Sequence, residues 1–454
     1  MEGKTFTLPF SIRLISPLAI LAVLFLFGQV ALAQDSLIIR KLSLEEAIRM
    51  GLANSKVLKL SQAKVEEAAD MVQVTGDSRL PSAKASFGYN EAILLDNQIN
   101  LPGSSKPLSL HTFNSFYLGT LSVNEAIFAG NKLKYAMQSA KLAKKIASLN
   151  AVNDRQGVIL GIIREYYTLF KVRESERIID SSLVDIAGRL RETLEFARAG
   201  LATKNDVLRW ELQQSNTMIT YNELEGNRRI ISYDMDLLLG LPTKLTIEVD
   251  STLVLDQAPG SLDNFLKMAD STRADLAVFT YRSQIADVRI QRIKSNQLPT
   301  LGAGLQMYYI NPNAAFIPAA GSLYLVPVTI GLNASWDIGS LWTTRHQVRA
   351  AELMRQESQI GRSQLMDHIS SEVNQSYTDY LQSLEKINLL TTAVEQASEN
   401  NRIMESKYRN QLATTTDRID AETMLYQAEI NLQLARVDAK LAYFSLLKST
   451  GTIQ

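Results

Sequence analysis

Few of the 454 residues are placed to do covalent chemistry. The three histidines, His111, His346 and His368, stand far apart, and none has the ligand spacing of a motif such as H-E-x-x-H. The chain has no cysteine, which removes disulfides, thiolate metal sites, cysteine nucleophiles and lipidation at a cysteine. Asp263, Asp270 and Asp275 fall on one amphipathic stretch and read as a solvated face. No catalytic, cofactor-binding or metal-ligating residue is assigned, and an enzyme is not expected. What remains are carboxylates in repeated settings. Asp206 follows Leu201-Ala202-Thr203, and Asp417 follows Leu412-Ala413-Thr414, 211 positions later. Asp417 and Asp420, three apart, share one helix face. Their chemistry is electrostatic, and one ordinary use of such aspartates is to cap a helix start.

These residues must be held by long elements, and the chain writes those elements twice. Leu44 and Leu262, each opening a helical stretch, are 218 positions apart, as are Pro81 and Pro299, which close them. A period of this length marks a duplicated half rather than a short solenoid repeat. In the first half a helix is expected over about 44–78, started by Ser43 with Glu46 three residues on, the pattern of a capping box. Strands follow at about 82–93 and 113–128, then a long helix at about 131–199 and another at about 204–239. The second half repeats this order: helix 262–295, strands 300–310 and 325–337, long helix 343–410, final helix 416–448. The last helix carries Leu425, Ala428, Leu432, Ala435, Ala439, Ala442 and Leu446 at alternating spacings of three and four, the seam of a left-handed supercoil. A helix of ~70 residues is ~105 Å long, so each long helix can lie beside two shorter ones stacked end to end.

Composition narrows the setting. Lysine and arginine balance aspartate and glutamate at 47 each, and no basic face argues for nucleic acid. Residues 1–33 read as a signal peptide, with Lys4 and Arg13 before an apolar core from Ile20 to Phe27 and Ala31-Leu32-Ala33 as the cleavage site. An uncleaved anchor is the competing reading, but the core is shorter than the ~20 apolar residues of a span. No later stretch is long and apolar enough to cross a bilayer as a helix. Entry into a membrane would then fall to strands in a closed barrel, because open edges are unsatisfied in lipid.

The strands suit that role. Leu301, Ala303, Leu305, Met307 and Tyr309 alternate with Thr300, Gly302, Gly304, Gln306 and Tyr308. Val328, Ile330, Leu332, Ala334 and Trp336 alternate with Thr329, Gly331, Asn333, Ser335 and Asp337. Tyr308, Tyr309, Tyr324 and Trp336 lie near strand ends, where interfacial aromatics sit. An apolar face opposite a small or polar face fits a barrel with a wet lumen. A half-buried soluble sheet has the same alternation, and both readings stay open. Four strands cannot close a barrel, since such barrels start at about eight. Several copies would have to share one, and three would supply twelve. The connections at about 94–112 and 311–321 would be its outer loops.

The order of elements, the repeat and the local motifs resemble the TolC-like outer-membrane efflux proteins. The resemblance runs over about residues 37–451 and rests on Leu42-Ser43-Leu44-Glu45-Glu46-Ala47-Ile48, Leu80-Pro81, Ile127-Phe128-Ala129-Gly130, Gly200-Leu201-Ala202-Thr203-Lys204-Asn205-Asp206-Val207-Leu208 and the Ala-rich closing helix. It implies a mixed, mainly α fold of duplicated helix-strand-strand-helix-helix halves. Each chain would be one third of a homotrimer with a 12-stranded outer-membrane β-barrel continued by a 12-helix periplasmic α-barrel. The repeats would span 34–242 and 261–451, joined by an equatorial linker at 243–260, with 452–454 as a tail. The implied function is the passive exit duct of a tripartite efflux or type I secretion system. Its partners would be a periplasmic adaptor (membrane fusion protein), an inner-membrane pump and outer-membrane lipid. The rival reading is a secreted periplasmic coiled-coil scaffold without channel activity.

The resemblance also implies a gate at the hairpin tips. Tyr408 takes the place of the family's gate tyrosine, Asp417 and Asp420 those of its constriction carboxylates, and Asn205 and Asp206 the facing polar pair. Around a threefold axis Asp417 and Asp420 would form acidic rings that favour cations. Ala413 stands where the gate commonly has an arginine, and Arg409 or Arg418 is the expected substitute.

Overall fold

The computed structural model describes residues 39–91, 98–99, 102–103, 105–106, 108–109, 115–242, 246–250, 260–312 and 324–454. The expected signal peptide, the interior of the connection after residue 312 and most of the linker at 243–260 lie outside these residues. After strand β1 (Ile39–Leu42), helices α1 (Leu44–Asn54) and α2 (Lys56–Asp77) lead into strand β2 (Ser82–Glu91). Short strands β3 (Gln98–Ile99) and β4 (Leu108–Ser109) pair within the expected first outer loop. Strand β5 (Ser115–Phe128) returns to α3 (Lys132–Arg198) and α4 (Lys204–Leu239). The second half repeats the pattern with α5 (Leu262–Thr272), α6 (Ala274–Lys294), β7 (Thr300–Pro312), β8 (Val328–Ser335), α7 (Ser340–Arg409) and α8 (Thr415–Ser449).

The helices of 67 and 70 residues, α3 and α7, are the two rails of the molecule, each about 100 Å long. Towards the sheet α3 packs on α2 and α7 on α6; towards the far end α3 packs on α4 and α7 on α8. Contacts of α3 with α6 and α8 join the halves. No helix among the described residues is long and apolar enough to cross a membrane.

Each leading helix, expected as one piece, is two. The breaks fall at Ser55 and Arg273, 218 positions apart, so the duplication extends to the kink. In the first half Ser55 Oγ accepts the Leu58 amide and starts a new helix. Asn54 donates to the carbonyl of Leu239 at the end of α4 (2.8 Å). In the second half an arginine makes the equivalent clamp. Arg273 donates to the Ser449 carbonyl (3.0 Å), to both carboxylate oxygens of Asp275 (3.0 and 2.6 Å) and to Glu372 of α7 (2.9 Å). Lys448 reaches the other oxygen of Glu372 (2.7 Å). The capping box at Ser43 is half made: Ser43 Oγ accepts the Glu46 amide, while the Glu46 carboxylate turns to Arg40 (2.8 Å).

A parallel pair absent from the sequence reading closes the middle of the molecule. Strand β1 (Ile39–Leu42) pairs with β6 (Thr246–Val249), which lies in the expected linker. Buried Tyr166 of α3 fastens the pair, its hydroxyl donating to the Leu42 carbonyl and accepting the Asp250 amide, both at 3.0 Å. Around it Ala47, Ile159, Ile162, Leu169, Met235, Leu239 and Ile247 form the main core. A Cβ at Gly51 would lie 2.4 Å from Ile162 Cδ1, so any larger residue there has to displace that core side chain.

The larger sheet is antiparallel throughout, in the order β2-β5-β7-β8. Its register places like faces opposite one another. Ala85 pairs with Leu121, Leu121 with Met307 and Met307 with Val328; Ser86 pairs with Thr120, Thr120 with Tyr308, and Gln306 with Thr329. One face is therefore apolar across four strands and the other small or polar. The apolar face is uncovered within the protomer, with Ile330 80% and Leu332 73% exposed. A bulge between Ala126 and Phe128 ends the alternation where β5 leaves the sheet. The outer edges of β2 and β8 have no strand beside them among the described residues.

Two outcomes follow from the clamp at the second break. Arg273→Leu leaves Asp275 and Glu372 half-buried without their main partner and lowers unfolding free energy by about 3 kcal/mol, read by chemical denaturation in detergent. Burial would push both carboxyls up, but Arg273 for Asp275, and Lys448 with Arg273 for Glu372, outweigh it and hold both below the usual carboxylate range. A depressed folded-state value means stability that is full at neutral pH and lost as pH falls below that range. An acid titration should show that loss in the wild type and a smaller one in Arg273→Leu.

Candidate functional site

The carboxylates singled out in the sequence lie at two hairpin tips built on one plan. At the first, α3 ends in Gly200, whose φ of 77° lets the Leu201 amide reach back to the Phe196 carbonyl (2.8 Å). Thr203 then caps α4: its hydroxyl accepts the Asp206 amide (3.2 Å), and Asp206 Oδ2 accepts the Thr203 amide (2.9 Å). At the second tip the Leu412 amide reaches the Lys407 carbonyl (2.8 Å). Thr414 and Asp417 repeat the reciprocal cap at 3.2 and 2.9 Å. A Thr followed three residues later by Asp is the local signal for both caps.

The tips then diverge. Where the first has Gly200 the second has Gln411, a residue with a side chain held at φ 58°. Asp206 spends its second oxygen on the other hairpin, accepting the Thr415 hydroxyl (2.6 Å). Asp417 is exposed, as is Asp420 one turn along α8. Hydrogen bonds from the Thr203 side chain and then from Thr415 hold Asp206 below the ordinary carboxylate range. The Thr414 side chain and then its amide do the same for Asp417, so both are anionic at neutral pH.

The remaining candidates are dispersed. Asn205 is exposed in the first turn of α4. Tyr408 lies half-exposed in the last turn of α7, and among the described residues its hydroxyl makes no hydrogen bond to Asn205 or Asp206. Arg418 points inward, is 3% exposed, and donates to Asn401 of α7 while lying 3.5 Å from Glu422. Arg409 pairs with Glu405 (2.7 Å), which Arg189 of α3 also holds (2.6 Å). Neither arginine expected to stand in for Ala413 spans from one tip to the other. The i,i+4 spacing of Arg418 with Glu422 and of Glu405 with Arg409 was available as a signal for these internal pairs.

Besides Asp206, two residues that sequence reasoning missed also span the tips. Arg209 of α4 donates to the Thr416 hydroxyl of α8, and Gln213 of α4 to Thr423 (3.2 Å). Nothing local marks them, since each bond joins positions more than 200 residues apart.

Comparison with known proteins places this architecture. No family model matches the chain. It is 20% identical to the outer membrane efflux protein BepC of Brucella suis over 339 residues, covering 73% of this chain and 71% of that protein. The outer-membrane channel CmeC of Campylobacter jejuni superposes with a TM-score of 0.74 at 15% identity, over 90% of this chain and 85% of its own. The outer membrane protein VceC of Vibrio cholerae gives 0.72 at 17% identity, over 90% and 96%. At these identities the structural likeness establishes the fold.

The left-handed backbone at Gln411 generates one expectation. Gln411→Gly removes a side-chain clash and stabilises the second tip by about 1 kcal/mol. Hydrogen exchange at the amides of Leu412 to Asp417 should slow, while exchange at the first tip stays unchanged.

Proposed function

Because this chain carries the TolC-like outer-membrane efflux fold, we propose that it is an outer-membrane exit duct, working as a homotrimer whose helical hairpins reach through the periplasm. The observation that carries this reading is the four-stranded sheet, apolar on one face and polar on the other, with β2 and β8 as open edges. In lipid such edges need partner strands, and β8 of one copy beside β2 of the next supplies them. Three copies close twelve strands, with the apolar face to lipid and the polar face to the lumen.

The helical part supports the same assembly. Leu208, Leu212, Ile219, Ile230 and Leu237 leave an apolar stripe on the open side of α4, each at least 50% exposed. On α7, Ile360 and Leu389 are isolated exposed apolar side chains, at 60% and 67%. A stripe like that of α4 marks a surface meant for protein, and a neighbouring copy would cover it. The tips, farthest from the sheet, form the periplasmic mouth, which Tyr408, Asn205 and Asp206 border and which Asp417 and Asp420 line with negative charge. A periplasmic adaptor and an inner-membrane pump complete the path. Transport through the duct is passive, so substrate choice rests with the pump.

Extraction of outer membranes should yield a heat-sensitive trimer that conducts ions in a planar bilayer. A soluble periplasmic monomer overturns the proposal in favour of a scaffold. Replacing Asp417 and Asp420 together by alanine should lower cation selectivity and block by multivalent cations; unchanged values would leave Asp417 as a helix cap alone.

A further inference from the structure

The register of the sheet fixes which side chains share its polar face, the face a duct turns to its lumen. One row runs Lys84, Ser122, Gln306, Thr329 from β2 to β8. The rows on either side, Ser82–Asn124–Gly304–Gly331 and Ser86–Thr120–Tyr308, are neutral. Among the described strand residues Lys84 is the one charged side chain on this face. We propose that Lys84 and its two symmetry copies form an anion-attracting ring in the barrel lumen, and that the cargo passing it bears a carboxylate, phosphate or sulfate group. The proposal rests on the exit-duct reading and adds a chemical class of cargo that the barrel favours.

Three features make Lys84 an electrostatic element rather than one more solvated lysine. First, its charge is not neutralised within the sheet. Lys84 is exposed, and the carboxylates of the same strands fall on the opposite face. Glu125 shares its row with Ala303 and Leu332, and Glu91 pairs with Ser115, seven positions from Lys84 along β2 and therefore of opposite parity. Second, the rest of the row offers hydrogen-bond donors. Tyr308 donates to Gln306 Oε1 (3.1 Å), so the Gln306 side chain meets a solute with its amide hydrogens, beside the Ser122 hydroxyl and an ammonium that can only donate. Third, the ring is narrow enough for its fields to overlap. Strands about 4.8 Å apart and tilted about 40° give a barrel of twelve a backbone radius of about 12 Å. A lysine reaching about 6 Å inward puts each amine about 6 Å from the axis and about 10 Å from its copies. That is close to one Debye length at physiological salt.

Screened attraction from three amines at this distance enriches a monovalent anion on the axis about five-fold and depletes a cation as much. Lys84 lies two residues into β2, near where the sheet meets the helices. The ring and the acidic mouth at the hairpin tips would act in series on opposite signs of charge. Removing Lys84 therefore moves selectivity towards cations, whereas removing the tip carboxylates moves it away from them.

The test uses the full-length trimer in planar bilayers under a potassium chloride gradient. Lys84→Ala and Lys84→Gln should each lower the anion-to-cation permeability ratio about five-fold, and Lys84→Glu further. Lys84→Arg should keep the wild-type ratio. The difference between wild type and Lys84→Ala should shrink at about 1 M salt, where screening is complete within a few ångströms. Inorganic tripolyphosphate should reduce the wild-type current and spare Lys84→Ala. Glu125→Gln, a charge change on the other face of the sheet, serves as the control and should leave the ratio unchanged. A wild-type trimer that conducts, with Lys84→Ala and Lys84→Glu matching it in ratio and in tripolyphosphate block, overturns the ring and leaves the duct reading intact. An equal shift in Glu125→Gln also overturns it, because the effect would not then arise in the lumen. A wild type that forms no conducting trimer overturns the duct reading itself.

Discussion

Backbone groups at the two ends of the β2-β5-β7-β8 sheet impose the condition that the rest of the molecule answers. A strand edge left open in water invites other chains, and one left open in lipid costs several kcal/mol per unmet group. The register of this sheet gathers its apolar side chains on one face, which must be covered by lipid or by protein. Among the described residues the apolar side is left uncovered, with Ile330 and Leu332 80% and 73% exposed. The proposed ring meets both conditions with one symmetry operation.

The helices obey a different constraint. Two rails of about 100 Å bury only a stripe along their length, so each needs continuous company. Two shorter helices per rail supply it, and side-chain clamps brace the joins at Ser55 and Arg273. The halves solve the same joint with different chemistry: a neutral amide from Asn54 on one side, an arginine among two carboxylates and a lysine on the other. Similar geometry with different chemistry recurs at the tips, where Gly200 answers to Gln411 and the second oxygen of Asp206 finds a partner in Thr415. A duplicated chain can hold its architecture constant while one copy of each joint takes on a separate task.

Local features carried most of the fold into the sequence. The bounds of α4 and α8 fall within one residue of the expected 204–239 and 416–448, because capping is settled within a single turn. The alternation in β7 and β8 was legible because a strand's side chains repeat every two residues. The kinks at Ser55 and Arg273 were missed, since apolar periodicity runs through them and the clamps come from α4 and α8, 185 and 176 residues away. The β1–β6 pair was missed because four-residue strands have no periodic signal, and Tyr166 that fastens them lies on α3.

The same division separates the site residues. The sequence by itself determined the duplication, the helix and strand order, the two-faced strands and the caps at Asp206 and Asp417, all products of neighbours within a few positions. Only the tertiary structure decided that Arg418 turns inward to Asn401, that Asp206 reaches Thr415, and that Arg209 reaches Thr416. Side chains of this length can reach several partners. Which one they meet depends on how the two hairpins pack, and packing is set by the α3–α8 contact rather than by the residues beside them.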